Sequence, residues 1–111
     1  MADGIIIRNA RIKDGPETIP IWLNFIEYHQ RISAIDLNLR DDAAENWRKF
    51  FERHVRSTIR KAIVAEHQGQ IVGFLIGSIE KRPPCFTMLY QAFVDTIAVV
   101  ESCRNQALAP D

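Results

Sequence analysis

The chain has 111 residues, of which 47% are hydrophobic and 25% are charged, a balance typical of one soluble globular domain. Fourteen basic residues balance fourteen acidic ones, so the formal net charge is zero and no global basic field attracts nucleic acid or an anionic membrane. No apolar run approaches the roughly 20 residues that span a bilayer, and the first residues, Met1–Gly4, lack the basic and apolar regions of a signal peptide. We therefore expect a cytoplasmic protein without nucleic-acid or membrane partners.

The first third predicts one strand and one long helix. Residues 5–10 form a short β-branched run that ends in a polar turn, which predicts a strand followed by a helix start. The helix is predicted over about residues 17–32, because Pro16 or Pro20 fits only in a first turn, where no amide proton is needed. Asp14 or Thr18 can cap it. Two adjoining apolar stripes on this helix require a broad buried face.

A second amphipathic helix follows a change in pattern near residue 42. Asp42 and Glu45 have the spacing of a reciprocal capping box, and apolar residues repeat at helical period through about residues 43–57. His54 lies on the apolar stripe. Because no partner stands at metal-ligand spacing, it is predicted to be a histidine at the edge of the core rather than a ligand or a base.

Beyond residue 60 the period changes from helical to alternating. Lys61–His67 and Gln70–Glu80 predict two strands joined by the two-residue turn Gln68–Gly69, which makes a hairpin. Glycine weakens a strand and usually marks a bulge or the close approach of another backbone. We therefore expect one of these irregularities at Gly73 and at Gly77.

After the breaker Pro83-Pro84, the long run Met88–Val100 predicts a further strand. Together the elements predict an α+β fold in the order β-α-α-β-β-β, with a mostly antiparallel sheet in chain order flanked by two helices. No linker or repeat divides the sequence, so residues 1–111 are expected to form a single domain.

Cysteine and histidine are too scarce and too scattered for a metal site. Cys85 and Cys103 cannot form a disulfide scaffold, and neither stands beside a histidine at metal-ligand spacing, so both are predicted to be reduced. The three histidines, His29, His54 and His67, fall on separate predicted elements. No metal is expected.

The order of elements, together with two stretches of sequence, resembles the N-terminal half of the GNAT superfamily of acyl-CoA-dependent N-acyltransferases. The stretch Ile63–Phe74 is typical of the second and third strands of that family. The stretch Val94–Val99, which leads to Arg104, resembles its fourth strand and the start of the loop that follows. Family members continue with further helices and strands, so the C-terminal half of the domain is expected to be missing, as in a frameshifted, truncated or fragmentary product.

The resemblance implies acetyl-CoA as the co-substrate. In the family, an (Arg/Gln)-x-x-Gly-x-(Gly/Ala) loop binds the pyrophosphate through backbone amides at a helix start. The matching positions are Arg104, Asn105, Gln106, Ala107 and Ala109, with Ala107 where the family has glycine. A positive φ at an alanine costs on the order of 1 kcal/mol. Acetyl-CoA is therefore expected to bind weakly or not at all, with no detectable turnover.

The resemblance also implies the reaction, which is the transfer of an acetyl group to a primary amine of a small molecule or peptide by direct attack. Backbone amides of Ile97, Ala98 and Val99 would hold the pantetheine and polarise the carbonyl beside a bulge. Asp95 aligns with an acidic residue that serves as base or amine binder, although an ordinary exposed strand carboxylate is an equal alternative. The usual acid of the family is a tyrosine on a later helix, and neither Tyr28, expected in the core, nor Tyr90 occupies that place.

A second functional class stays open, namely a non-catalytic protein that self-associates. The run Met88–Val100 contains Asp95 as its only acid and no lysine or proline to protect an edge. In the family, its far edge is covered by a later strand. The sequence therefore predicts a homodimer joined through this strand or the surface beside it.

Overall fold

The computed structural model describes residues 4–33 and 37–100, which form one four-stranded sheet and two helices. The elements in chain order are β1 (Ile5–Asn9), α1 (Gly15–Ile32), α2 (Ala43–Arg56), β2 (Arg60–His67), β3 (Gln70–Lys81) and β4 (Tyr90–Val99). The strands lie in the order β1-β2-β3-β4, and each pair is antiparallel. The predicted α+β fold, with an antiparallel sheet in chain order, is confirmed.

Helix α1 begins two residues earlier than its sequence predicted. Pro16 occupies the first turn, and Pro20 consequently lies inside the helix rather than at its start. Neither predicted cap forms through its side chain: Asp14 stands at the N-cap position without a capping hydrogen bond. The hydroxyl of Thr18 donates instead to the carbonyl of Gly15, at 2.7 Å.

The predicted capping box of α2 does not form either. Asp42 stands at the N-cap without a side-chain capping hydrogen bond. Its carboxylate accepts a hydrogen bond from Arg40 at 3.0 Å, and the Glu45 carboxylate accepts from Arg48. Arg40 and Arg48 therefore bind the two carboxylates that the capping box would use.

The core lies between the two helices and one face of the sheet. Its buried members share that location and are Ile21, Trp47, Phe51, Ala62, Val64, Ile71, Phe74, Ile76 and Ala98. The ring of Trp47 stacks on that of Trp22, with centroids 4.9 Å apart and planes 8° apart. Its indole N–H donates to the Thr18 hydroxyl at 2.9 Å. These two contacts fix α2 against α1.

A buried ion pair ties the start of α1 to the sheet. Arg8 on β1 donates two hydrogen bonds to the Asp14 carboxylate, at 2.8 and 3.0 Å, and one to Glu66 on β2, at 3.3 Å. The backbone N–H of Arg11 also donates to Asp14, at 2.7 Å. Burial alone would raise the pKa of Asp14, but these hydrogen bonds outweigh it and hold that pKa below its usual value. The bond to Asp14 in turn raises the pKa of Arg8.

The opposite face of the sheet is apolar and, within residues 4–33 and 37–100, carries no helix. Ile63, Leu75 and Ile97 lie side by side on β2, β3 and β4, and Ile7 lies beside them on β1. Ile97 is 57% exposed and Ile7 is 47% exposed. The helices therefore cover one face of the sheet only.

Candidate functional site

A β-bulge in β4 determines where Asp95 points. Thr96 pairs with Ile76 and Val94 pairs with Gly77, so Asp95 is an extra residue without a partner on β3. A Cβ atom at Gly77 would lie 2.5 Å from the carbonyl oxygen of Phe93. Only glycine fits there, which confirms the predicted close approach of another backbone at this position.

The bulge turns Asp95 toward the helices. Cross-strand partners share a face of the sheet, so Thr96 lies on the face of the buried Ile76, and in a regular strand its neighbour Asp95 would point the opposite way. Instead, the Oδ2 atom of Asp95 lies 4.0 Å from Nε2 of His54 on α2. Bulges commonly re-aim one side chain in this way.

Asp95 and His54 lie in a cleft of about 600 Å³ between the second half of α2 and the sheet. The lining residues come from four elements and the connection before β2: Phe50, Arg53, His54, Ile59, Arg60, Ser78, Ile79, Glu80 and Asp95. Its lining carries both charges. The cations Arg53 and Arg60 come from α2 and the start of β2, whereas the carboxylates Glu80 and Asp95 come from β3 and β4.

His54 is 4% exposed, which agrees with its predicted place at the edge of the core. Its Nδ1 atom lies 3.0 Å from the carbonyl oxygen of Phe50. A carbonyl can only accept, so Nδ1 carries the proton, and Nε2 of the neutral ring is an acceptor that faces the cleft. Sequence reasoning missed this second role, because His54 and Asp95 meet only through the bulge.

The predicted pantetheine-binding residues occupy the last part of β4. The N–H of Val100 donates to Val72 on β3 at 2.8 Å. Because backbone groups alternate in direction along a strand, Ala98 also turns its N–H and C=O toward β3, where it pairs with Phe74. Ile97 and Val99 direct theirs toward the other edge of β4. The pyrophosphate-loop positions, Arg104, Asn105, Gln106, Ala107 and Ala109, lie outside the described residues.

Tyr28, Tyr90 and Cys85, considered in the sequence, lie outside this cleft. Tyr28 is 43% exposed on α1, so its predicted core position is wrong, because the broad apolar face of α1 is covered over only part of its width. Tyr90 is 59% exposed at the start of β4. Cys85 is an exposed free thiol, and Cys103 lies outside the described residues.

In the described part of the chain, no three His, Cys, Asp or Glu side chains converge as metal ligands, and no helix is long and apolar enough to cross a bilayer.

Several solved acetyltransferase structures superpose on the chain. A ribosomal-protein-alanine N-acetyltransferase from Brucella melitensis matches with a TM-score of 0.65 and 22% identity, over 91% of this chain and 61% of its own. An acetyltransferase from Vibrio fischeri matches with a TM-score of 0.67 and 19% identity, over 94% and 76% of the two chains. The chain has the N-terminal half of the GNAT fold. A predicted acetyltransferase with acetyl-CoA from Clostridium acetobutylicum also matches, with a TM-score of 0.65 and 16% identity, over 94% of this chain and 65% of its own.

The chain spans less than two thirds of the length of the Brucella and Clostridium proteins. The superpositions establish the GNAT fold, but sequence identities this low do not establish a shared substrate. No protein-family model and no curated protein matches the chain by sequence.

Proposed function

We propose that residues 1–111 form one cytoplasmic domain of GNAT type, built for the transfer of an acetyl group from acetyl-CoA to a primary amine. The observation that carries this proposal is the bulge in β4. It directs Asp95 into the cleft on the helix face, while Ile97, two residues later, directs its backbone to the open edge of the strand. An amine site and an edge for an extended acyl carrier thus lie side by side.

Asp95 is the proposed base and amine binder. Its side chain is 49% exposed to the cleft, so it can both accept a hydrogen bond from an incoming amine and exchange a proton with water. In the transfer step the amine nitrogen forms a bond to the acyl carbon, the carbon–sulfur bond breaks, and the amine loses its proton to Asp95 while the departing thiolate gains one from solvent. No tyrosine of the described chain reaches the cleft to act as the acid.

The edge of β4 fits the pantetheine arm of acetyl-CoA. An extended amide chain can pair with a strand edge as an added strand does. Ile97 directs its backbone groups to the outer edge of β4, and Ala98 and Val99 follow it along the strand. The coenzyme supplies an activated thioester, and Arg104, Asn105, Gln106, Ala107 and Ala109 are the proposed contacts to its pyrophosphate. Since Ala107 replaces glycine, we expect weak binding.

An NMR titration of the 111-residue chain with acetyl-CoA tests this proposal. We expect amide shifts that map to residues 94–100, with a dissociation constant weaker than about 10 μM, because each 1.4 kcal/mol of lost interaction weakens binding tenfold. An Ile97→Pro variant, which lacks the amide proton, should bind still more weakly, whereas Ile7→Pro on the far strand should not. Shifts confined to another surface, or none at millimolar ligand, would refute the proposed site.

A second candidate function is self-association without catalysis. The side chains of β4 are unusually open: Val94 is 60% exposed, Tyr90 59% and Phe93 43%, and no described strand pairs with its outer edge. Two copies could pair these edges about a two-fold axis as a homodimer. Sedimentation at micromolar concentration should then show a dimer that Val94→Lys converts to monomer and Leu39→Lys, at an exposed leucine before α2, leaves intact. A monomeric parent chain would exclude this function.

A further inference from the structure

We infer that the cleft selects an acceptor amine that also carries a carboxylate, as a free amino acid does. That this amine accepts an acyl group rests on the proposed function, whereas how it binds depends on the cleft alone. The amine would lie between His54 and Asp95, and the carboxylate would face Arg53 and Arg60. Two independent features of the cleft carry it.

The first feature is a pair of hydrogen-bond acceptors with a gap between them. Nε2 of His54 and Oδ2 of Asp95 are 4.0 Å apart, too far for a direct hydrogen bond. Since Nδ1 of His54 donates to the Phe50 carbonyl, Nε2 has no proton to offer while the ring is neutral. For a donor nitrogen placed about 2.8 Å from both atoms, the angle between the directions to Nε2 and Oδ2 would be about 90°. Two N–H bonds of one ammonium group can therefore reach both acceptors.

The second feature is a pair of arginines, Arg53 and Arg60, that line the same cleft. Neither Arg53 nor Arg60 forms an ion pair with any carboxylate of residues 4–33 and 37–100, although Arg8, Arg40, Arg48 and Arg56 all do. The Arg53 guanidinium lies 5.8 Å from the centre of the Phe50 ring, and that ring lies 4.5 Å from the His54 ring. The cation is thus held beside the acceptor pair.

Arg60 approaches from across the sheet. It pairs with Ser78 on β3, so one intervening strand separates it from β4 and its backbone lies about 10 Å from that of Asp95. A long arginine side chain can reach back over this distance. Because the carboxylates Glu80 and Asp95 line the same cleft as the two arginines, the charges of the cleft complement a zwitterion rather than a simple cation or anion.

Apolar residues in the cleft indicate which side chain the amino acid carries. Phe50, Ile59 and Ile79 line the cleft together with the charged residues. An amino acid with an aliphatic side chain therefore matches the cleft better than one with a charged side chain.

Calorimetry without acetyl-CoA tests the inference with three matched probes: L-leucine, L-leucinamide, which lacks the carboxylate, and 4-methylpentanoate, which lacks the amine. We expect leucine to bind about tenfold more tightly than either analogue, since each lacks one charge-assisted interaction. Equal binding of leucinamide would refute the role of the arginines, and equal binding of 4-methylpentanoate would refute the acceptor pair. No binding of leucine at 10 mM would refute the inference as a whole.

Substitutions test which side chains bind the carboxylate and the amine of leucine. Arg53→Gln combined with Arg60→Gln should lower leucine affinity to that of leucinamide. The control Arg82→Gln, at an arginine that lies 4.1 Å over the Phe86 ring outside the cleft, should leave it unchanged. Asp95→Asn, at a half-exposed position that does not endanger folding, should weaken leucine about tenfold.

His54→Asn keeps a donor for the Phe50 carbonyl and deletes the acceptor at Nε2, so it should weaken leucine while preserving the fold; full affinity in this variant would remove His54 from the site. Because acetyl-CoA is absent from these titrations, leucine binding without any acetyl-CoA binding would overturn the acyl-transfer proposal alone. Acetyl-CoA binding without leucine binding would overturn this inference alone.

Discussion

Removing the carboxylate of Asp14 tests how much of the fold depends on one buried ion pair. Asp14 is 2% exposed and receives three hydrogen bonds of 2.7–3.0 Å, two from the Arg8 guanidinium and one from the Arg11 backbone. In Asp14→Ala, the guanidinium of Arg8 keeps the Glu66 carboxylate and the Asn9 carbonyl as acceptors and remains largely buried, with 17% of its side chain exposed.

The magnitude follows from those contacts. Removing one partner of a buried ion pair costs about 3–5 kcal/mol, because the other charge stays buried without compensation. Since Arg8 retains Glu66 at 3.3 Å, the lower end of that range applies, about 3 kcal/mol. A small domain has only about 5–15 kcal/mol of unfolding free energy, so this loss is a large fraction of the total.

Urea denaturation followed by circular dichroism measures the effect. The midpoint should fall by about 2 M with an unchanged slope, for a slope of about 1.5 kcal/mol per molar. Arg40→Ala is the control: it breaks an ion pair of similar length, 3.0 Å, whose side chains are 81% and 52% exposed. Because water and salt screen such a pair, its midpoint should match that of the parent.

The pH dependence supplies a second check. The folded-state pKa of Asp14 lies below its usual value, so its contribution to stability is complete above the unfolded pKa of about 4 and is lost as the pH falls through the folded pKa. The difference between parent and Asp14→Ala should therefore shrink in acid. A difference below about 1 kcal/mol at pH 7, or one that persists unchanged in strong acid, would refute the account of this ion pair.

Three other substitutions address the bulge, the helix contact and the base. Gly77→Ala forces a Cβ to 2.5 Å from a backbone oxygen and should lower the unfolding free energy by about 2 kcal/mol or more in urea, whereas Gly15→Ala, with 3.6 Å of room in a helix, should not. Thr18→Val leaves the buried indole N–H of Trp47 without its acceptor and should cost about 1–3 kcal/mol, measured by thermal denaturation. In any assembly that shows turnover, Asp95→Asn should depress the acid limb of the pH–rate profile and leave coenzyme affinity unchanged; equal rates would exclude Asp95 as the base.

Local pattern was sufficient to predict most of the fold. Alternation and helical periodicity located both helices and all four strands within a few residues, because each element buries one face and its apolar period records that face. The start of α1 differed because Pro16, rather than Pro20, takes the first turn. The caps differed because neighbouring arginines bind the carboxylates that the capping pattern assigned to backbone amides.

The candidate site was predictable only in part. Asp95 was identified through a resemblance, but its direction depends on a register shift that no single strand sequence encodes. His54 satisfied every criterion of a core histidine and is buried as one. Its Nε2 atom comes near a carboxylate only once β4 is placed across from α2, and the role of Arg53 depends on the same tertiary arrangement.

The stacked indoles between α1 and α2 give this protein a built-in optical reporter. Trp22 and Trp47 are the only tryptophans in the chain, and their rings lie 4.9 Å apart and nearly parallel. The strong far-ultraviolet transitions of two indoles at that separation couple, so the far-ultraviolet dichroism should carry a paired signal that depends on both rings. Because Trp47 also contacts Phe50, whose ring borders the cleft, that signal can follow helix separation and ligand entry without any added label.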